Sequence, residues 1–148
     1  MNESEETEMN ESTAKRRVAV YVRIASTAQK DGEEARMHQE NQLRAFINEH
    51  ADWELEAIHA DVGLQASAER PGLNKLLQGC DDNRYDIVLM MSASRLAREQ
   101  RRFIEITRQI THSGAKIALL KEQCILDAEA IEADYCLLCA LERGARHA

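Results

Sequence analysis

Two short apolar segments constrain the fold of this chain more than any other feature of its sequence. Residues 18–24 (VAVYVRI) are rich in β-branched side chains, and residues 86–91 (DIVLMM) are almost continuously apolar. Segments of this length and composition are typical of strands that are covered on both faces, as in the centre of a parallel sheet. Residues 53–60 and 116–120 add two further predicted strands.

Helical patterns separate these predicted strands. They predict helices over residues 33–50, from Pro71 onwards, over residues 96–113 and over residues 127–143. Pro71 suits the first turn of a helix, where its missing N–H has no partner within the helix. Strands that alternate with helices predict an α/β fold, with a mainly parallel central sheet flanked by helices and a C-terminal helix at its end. A chain of 148 residues suffices for one such domain.

The formal net charge of −7 is concentrated at the N-terminus. Residues 1–13 contain five glutamates and no basic residue. We expect residues 1–15 to form a disordered acidic tail, because this stretch lacks the hydrophobic periodicity that burial requires. The rest of the chain is only mildly acidic, so a basic site on one face is compatible with it.

The cysteines and the five histidines lack the spacing of a complete metal site. Cys136 and Cys139 are spaced like half of a zinc knuckle, without a second pair of ligands nearby. Packing in a core or an interface is the favoured interpretation for this pair, and Cys80 and Cys124 are expected to be small buried apolar residues. Without a signal peptide or an apolar run of about 20 residues, the chain is expected to be cytoplasmic, outside any membrane, with reduced thiols.

Hydroxyl groups and arginines follow three of the predicted strands. They are Arg23, Ser26 and Thr27 after the first strand, Arg70 after the second, and Ser92, Ser94, Arg95 and Arg98 after the third. The carboxyl ends of parallel strands gather functional residues at one edge of a sheet. This set suits phosphoryl transfer, in which a serine oxygen attacks phosphorus and guanidinium groups neutralise the phosphate. Arginines in loops are also commonly solvated, so composition alone leaves both interpretations open.

Three motifs in a fixed order give these residues a family resemblance. The motifs are YVRIASTAQ at residues 21–29, followed by Gln39; DVG at residues 61–63, leading to ERPGL at residues 69–73; and YDIVLM at residues 85–90, leading to SRLAR at residues 94–98. Together they resemble the resolvase/invertase family of serine recombinases. The interval to Gln39 is similar to that of the large serine integrases. The resemblance extends from about residue 17 to residue 143, where CALER is similar to the start of the family's long helix.

The resemblance implies a resolvase-like catalytic core over residues 16–126 and the start of a dimerisation helix over residues 127–148, without a DNA-binding domain. It implies cleavage and rejoining of DNA through a 5′-phosphoserine, without a metal or a cofactor, by homodimers that pair into tetramers. A full-length recombinase is a further possible partner. The implied catalytic residues are Ser26, Arg23, Arg70, Arg95 and Arg98, with Gln39, Thr27 and Ser94 in supporting contacts to the DNA phosphate.

The chain departs from the family pattern at the nucleophile. Ala25 occupies the expected position, and Ser26 follows one residue later. Within a strand this shift would turn Ser26 to the opposite face, whereas a bulge or a loop would re-aim it. Ser94 replaces an aspartate, Ala35 replaces a serine, and residues 64–66 replace a Ser-Gly pair.

Two interpretations of these departures stay open. The chain is either a recombinase with a variant active site, or an impaired core that serves as a dimerisation or interaction module or is a remnant of a mobile element. A nucleotide-binding regulator is disfavoured, because no glycine-rich phosphate loop opens either of the first two predicted helices.

Overall fold

The computed structural model describes residues 14–25, 29–63 and 70–147. In chain order the elements are β1 (Arg16–Ile24), α1 (Gln29–Asn48), β2 (Trp53–Val62), α2 (Pro71–Asp81), β3 (Ile87–Met90), a 3₁₀ turn (Ala93–Arg95), α3 (Gln100–His112), β4 (Lys116–Leu119), β5 (Cys124–Leu126) and α4 (Ala128–His147). None of the helices in the described ranges is long and apolar enough to cross a membrane. The predicted nucleophile Ser26, its neighbour Thr27 and residues 1–13 of the acidic segment lie outside the described residues.

The five strands form one sheet in the order β2-β1-β3-β4-β5. Strands β1 to β4 are parallel to their neighbours, and β5 pairs with β4 in the antiparallel direction. The predicted mainly parallel α/β fold with a C-terminal helix is therefore confirmed. Strand β5 was not predicted from the sequence, because three residues are too few to show an alternating pattern.

Alternation along β1 divides the core into two layers. Val18, Val20 and Val22 are buried against α1, whereas Ala19 and Tyr21 are buried on the opposite face of the sheet, against α2 and α3. Because successive side chains of a strand point to opposite faces, Arg23 shares the face of Tyr21. Strand β1 therefore directs an arginine towards the α2 side at its carboxyl end.

The third predicted helix begins later than the sequence pattern indicates. Residues 96–113 were predicted as one helix, but α3 begins at Gln100, and residues 93–95 form a separate 3₁₀ turn. The carbonyls of Arg95 and Leu96, which a continuous helix would use for its own hydrogen bonds, accept hydrogen bonds from the Arg70 side chain instead. Arg95 and Arg98 consequently lie on an irregular segment before the helix.

The C-terminal helix α4 docks on α3 through one buried side chain and several ion pairs. Ile131 is fully buried. Arg108 of α3 lies 2.8 Å from a carboxylate oxygen of Glu132, and Arg101 lies 3.1 Å from a carboxylate oxygen of Glu142. These half-exposed ion pairs orient α4 more than they stabilise it, because water screens them.

The four cysteines form no disulfide in the described chain, and their burial differs. Cys80 is buried as predicted, and burial raises the pKa of its thiol to about 12. Cys124 was also expected to be buried but is only half-buried, because β5 lies at the edge of the sheet. On α4, Cys136 is exposed and Cys139 is half-buried, so neither belongs to the core of the described chain.

Gly72 in the first turn of α2 allows this helix to approach the end of β2. A Cβ atom at this position would lie 2.6 Å from the carbonyl oxygen and 2.8 Å from the carbonyl carbon of Ala60. Both neighbours are main-chain atoms of a paired strand and have little room to move. The first turn of α2 is therefore seated against the backbone of β2.

We expect Gly72→Ala to lower the free energy of unfolding by about 1–3 kcal/mol, because the added methyl group overpacks this contact. An alanine normally favours a helix over a glycine, so the predicted sign is opposite to that of helix propensity. Urea denaturation measures the change. Asn74→Ala, at an exposed position of the same helix, is the control and should change stability by less than about 0.5 kcal/mol. A stabilised Gly72→Ala variant would contradict the close approach.

Candidate functional site

The predicted arginines meet at the carboxyl edge of the parallel strands. Strands β1, β2 and β3 all end at this edge, where Arg23 of β1 lies beside Asp61 of β2 in the strand register. The N–H of Gly63 donates to the carbonyl of Ile24 at 2.8 Å and ties the two strand ends together. We call Arg23, Arg70, Arg95 and Arg98 the arginine cluster, and residues 93–98 the arginine turn.

Asp61 is the buried anion behind this edge. Asp61 is only 3% exposed. One carboxylate oxygen accepts hydrogen bonds from the Tyr21 hydroxyl at 2.7 Å and the Leu73 N–H at 3.0 Å, and the other accepts from the Gly72 N–H at 2.8 Å. The two N–H groups belong to the first turn of α2, where the helix dipole favours a negative charge. Asp61 thus joins β1, β2 and α2 at one point.

Tyr21 connects this anion to the arginine cluster. Its hydroxyl donates to Asp61 and accepts two hydrogen bonds from Arg70, from Nε at 3.1 Å and from Nη2 at 2.8 Å. Burial and the hydrogen bond to Asp61 raise the pKa of Tyr21 well above its ordinary value, although Arg70 opposes the shift. The hydroxyl therefore keeps its proton and orients Arg70.

Arg70 in turn holds the arginine turn. Its Nη2 donates to the carbonyl of Arg95 at 2.6 Å, and its Nη1 donates to the carbonyl of Leu96. With the two bonds to Tyr21, most of the donors of this guanidinium are used by protein acceptors. The sequence predicted Arg70 as part of a phosphate cage. In the structure, Arg70 holds the main chain of the arginine turn through the carbonyls of residues 95 and 96.

The guanidinium groups of the cluster lie close enough to repel one another. Arg95 donates through Nη1 to the carbonyl of Arg23 at 3.1 Å, and its buried Nε has no hydrogen-bond partner among the described residues. Burial lowers the pKa of Arg23, and the positive charges of Arg70 and Arg98 lower it further. Arg98 is exposed. An anion placed here would relieve this repulsion.

The remaining predicted residues occupy varied positions. Ser94 is exposed, and its hydroxyl is hydrogen-bonded to that of Ser92 at 2.9 Å. Gln39 lies on the half-buried side of α1, and its buried Oε1 has no hydrogen-bond partner within the described ranges. Neither contacts the arginine cluster directly through a hydrogen bond in the described chain. Ala25, at the expected nucleophile position, is exposed directly after β1.

Two positioning residues were missed by sequence reasoning. Tyr21 and Asp61 both stand within the quoted motifs, yet neither was assigned a role. The available signal is the alternation along β1, which places Tyr21 on the same face as Arg23. Nothing in the sequence shows that the carboxylate of Asp61 reaches the first turn of α2, since this contact depends on how the helix packs against the sheet.

Comparison with known proteins gives the same fold. A family model described as the resolvase N-terminal domain matches residues 18–138. No curated protein sequence matches the chain. Twenty chains of solved structures match, the three described below among them.

Three of the solved structures are an integrase catalytic domain, a resolvase-family site-specific recombinase and the catalytic domain of a serine recombinase. The chain is similar to the N-terminal catalytic domain of TP901-1 integrase, at 21% identity and a TM-score of 0.73, over 89% of this chain and 98% of that one. It is similar to a resolvase-family site-specific recombinase from Streptococcus pneumoniae, at 18% identity and a TM-score of 0.71, over 89% and 91%. The C-terminal catalytic domain of ISC1926 TnpA, an IS607-like serine recombinase, matches at 26% identity and a TM-score of 0.62, over 71% and 70%.

We expect Tyr21→Phe to lower the free energy of unfolding by about 1–3 kcal/mol at neutral pH, because Asp61 and Arg70 each lose a buried partner. The loss should shrink as the pH rises above about 10, the ordinary pKa of a tyrosine. In that range Tyr21 ionises in the unfolded wild-type chain but not in the folded chain, so the free energy of unfolding of the wild type falls. The variant has no ionisable group at this position, and its stability lacks this decrease. Urea denaturation over a pH series measures both effects.

Tyr135→Phe serves as the control for this prediction. Its hydroxyl takes no part in the hydrogen bonds of the site, and the ring, which faces Arg108 at 3.7 Å, is kept. The change in stability should stay within about 0.5 kcal/mol. A Tyr21→Phe variant that loses the same stability at every pH would contradict the raised pKa of Tyr21.

Proposed function

The chain belongs to the resolvase N-terminal domain family, and from this premise we propose that it cleaves and rejoins DNA through a 5′-phosphoserine intermediate. One observation supports the proposal above all others. The arginine cluster gathers at the carboxyl end of β1, a strand that ends two residues before Ser26 in the sequence. Guanidinium groups held in this way match the charge and the oxygen geometry of a DNA phosphate.

Preorganisation of the arginines is the main catalytic contribution of the described residues. Asp61, Tyr21 and main-chain carbonyls hold Arg70 and Arg95 before any substrate arrives. A site organised in advance requires little rearrangement when charge develops on the phosphate oxygens in the transition state. The positive charge of Arg98 lowers the pKa of Arg23, so a phosphate bound near both guanidinium groups would relieve their repulsion.

The proposed reaction uses the serine hydroxyl as nucleophile. The Ser26 oxygen forms a bond to phosphorus, its proton passes to solvent, and the bond from phosphorus to the 3′ oxygen breaks. The 3′ oxygen leaves as a hydroxyl after it takes up a proton, and the 5′ phosphate stays on the serine. Attack by a 3′ hydroxyl on the phosphoserine reverses these steps, so rejoining needs no external energy source.

We assign the catalytic core to residues 16–126 and the first part of a dimerisation helix to residues 127–148. Helix α4 supports this division, because its outer face presents Leu137 and Leu141, which are 59% and 61% exposed. Two leucines four residues apart form an apolar ridge that a second copy of the helix would cover. DNA and a second copy of the chain, with tetramers formed on DNA, are the partners that we propose.

A second candidate function follows from Ala25. This residue is exposed directly after β1, where the family keeps its nucleophile. A domain that keeps its arginines and its dimerisation helix but lacks a nucleophile would pair with a full-length recombinase without cutting DNA itself. The two candidate functions differ in whether a covalent DNA–protein adduct forms.

We expect the purified protein to form an SDS-resistant adduct with a nicked crossover-site DNA, and Ser26→Ala to abolish it. Loss of the attacking oxygen removes the covalent step, and the expected drop is at least about a thousandfold. Gel electrophoresis of labelled DNA measures the adduct. Ser113→Ala, which removes a hydroxyl at the C-terminal end of α3 and outside the arginine cluster, is the control and should keep the adduct.

Ala25→Ser distinguishes the two candidate functions. If the wild-type chain forms no adduct and Ala25→Ser creates one, the arginine cluster is competent and the natural chain is the non-catalytic partner. If the wild type forms the adduct through Ser26, Ala25→Ser should leave its yield the same or lower it. Absence of any adduct in both proteins, together with hetero-oligomers formed with a complete recombinase, would count against cleavage by this chain.

We expect Arg98→Gln to weaken binding of duplex DNA and to reduce the slope of log affinity against log salt by about one, because one phosphate contact is lost. Fluorescence anisotropy over a salt series measures the slope. Arg102→Gln is the charge-matched control, since Arg102 is exposed on α3 and lies 3.6 Å from Glu105. Equal effects of the two substitutions would show that Arg98 contributes only general charge.

A further inference from the structure

A carboxylate from outside the three motifs holds the arginine turn from its other end. Glu122 lies in the loop after β4, and its Oε2 accepts a hydrogen bond from the N–H of Ala93 at 2.9 Å. The loop is fixed beside β3, because Leu120 and Lys121 donate main-chain hydrogen bonds to Met90 and Met91 at 3.0 and 2.8 Å. Glu122 therefore reaches the first residue of the turn from a braced position.

The two ends of the arginine turn are held by opposite charges. Glu122 binds a main-chain N–H at the start of the turn, and Arg70 binds the carbonyls of Arg95 and Leu96 at its end. This polarity complements the dipole of a short helical turn. The carbonyl of Ala93 accepts from the N–H of Leu96 at 3.1 Å and from that of Ala97 at 3.4 Å, so fixing Ala93 also fixes the residues that lead to Arg98.

A departure from the family pattern at position 94 bears on the role of Glu122. The family pattern has an aspartate at position 94, where this chain has Ser94, whose hydroxyl bonds to Ser92. The arginine turn therefore lacks its own carboxylate, and Glu122 brings one to the adjacent residue, Ala93. We propose that Glu122 is a positioning residue for Arg95 and Arg98 and supplies the carboxylate that position 94 lacks. Its consequence for DNA cleavage rests on the proposed function, but its effect on the turn does not.

The sign of one measurement separates positioning from simple charge. Glu122 is exposed and places a carboxylate at the start of the arginine turn. As a mere surface charge it would repel DNA, and Glu122→Gln would tighten DNA binding. As a positioning residue it holds the arginines in place, and Glu122→Gln would weaken binding although the protein becomes less acidic.

The first experiment measures the contact without any reference to DNA. In an NMR titration of the whole chain, the Ala93 amide should shift with the ionisation of a carboxylate, and Glu122→Gln should remove this shift. Hydrogen exchange at the amides of residues 95–98 should become about threefold faster in Glu122→Gln, since a hydrogen bond that holds the turn is weakened. Glu129→Gln, an exposed glutamate in the first turn of α4, removes the same charge and should change neither signal.

The second experiment measures DNA affinity by fluorescence anisotropy with a short duplex of random sequence. We expect Glu122→Gln to weaken binding about threefold, the effect of losing part of one charge-assisted hydrogen bond at an exposed site. Glu129→Gln should leave binding unchanged or tighten it. Adding Ser94→Asp to Glu122→Gln should restore most of the affinity, because the carboxylate returns to the same turn.

Each outcome bears on one of the two proposals. Any one of three results would overturn the role of Glu122. These results are an Ala93 amide that does not titrate, unchanged hydrogen exchange at residues 95–98, and DNA binding that tightens in Glu122→Gln as it does in Glu129→Gln. Absence of the Ser26 adduct, with these signals as expected, would overturn cleavage and leave the positioning role intact. If the wild-type chain shows no affinity for the duplex, the NMR titration and the exchange rates decide the role of Glu122.

Discussion

The buried carboxylate of Asp61 is the interaction on which the arrangement of the arginine edge depends. A charge in this position is tolerated only because three donors surround it, namely the hydroxyl of Tyr21 and the first N–H groups of α2. The same three bonds fix the end of β1, the end of β2 and the start of α2 relative to one another. Gly72 makes this geometry possible, since a side chain there would push α2 away from β2. Tyr21, held by Asp61, then orients Arg70, and Arg70 holds the arginine turn.

This order of support explains how four like charges are held together. Each guanidinium that is placed precisely by the protein is placed by neutral acceptors, namely the Tyr21 hydroxyl and the carbonyls of residues 23, 95 and 96. Among the described residues, the carboxylates nearest to this network accept hydrogen bonds from Tyr21 and from the N–H of Ala93. A carboxylate bound directly to Arg23 or Arg98 would compete with a phosphate for the same donors. The cluster therefore keeps a positive electrostatic potential, which would favour the binding of an anionic ligand.

The fold was predictable from the sequence to a large extent, and the support of the site was not. β-branched, uninterrupted apolar segments predicted the central strands, and parallel strands necessarily bring the arginines of three loops to one edge. Leu96 and Ala97 look helical by composition, yet the helix starts only at Gln100, because Arg70 occupies carbonyls that the helix would need. The contact between Glu122 and Ala93 joins residues from two loops, and it is set by the pairing of β3 with β4 rather than by any local pattern.

The position of the proposed nucleophile and the placement of the arginines are two separate questions, although one sequence motif contains both Ser26 and Arg23. Strand β1 ends at Ile24, so its alternation no longer dictates which way the side chains after Ala25 point. The placement of the described arginines, in contrast, depends on the sheet, on α2 and on the arginine turn. Among the described residues, the hydrogen bonds of the Arg70 and Arg95 side chains run to the Tyr21 hydroxyl and to the carbonyls of residues 23, 95 and 96. The proposed binding of a phosphate by the arginines and the proposed attack by Ser26 therefore rest on different parts of the chain, and each needs an experiment of its own.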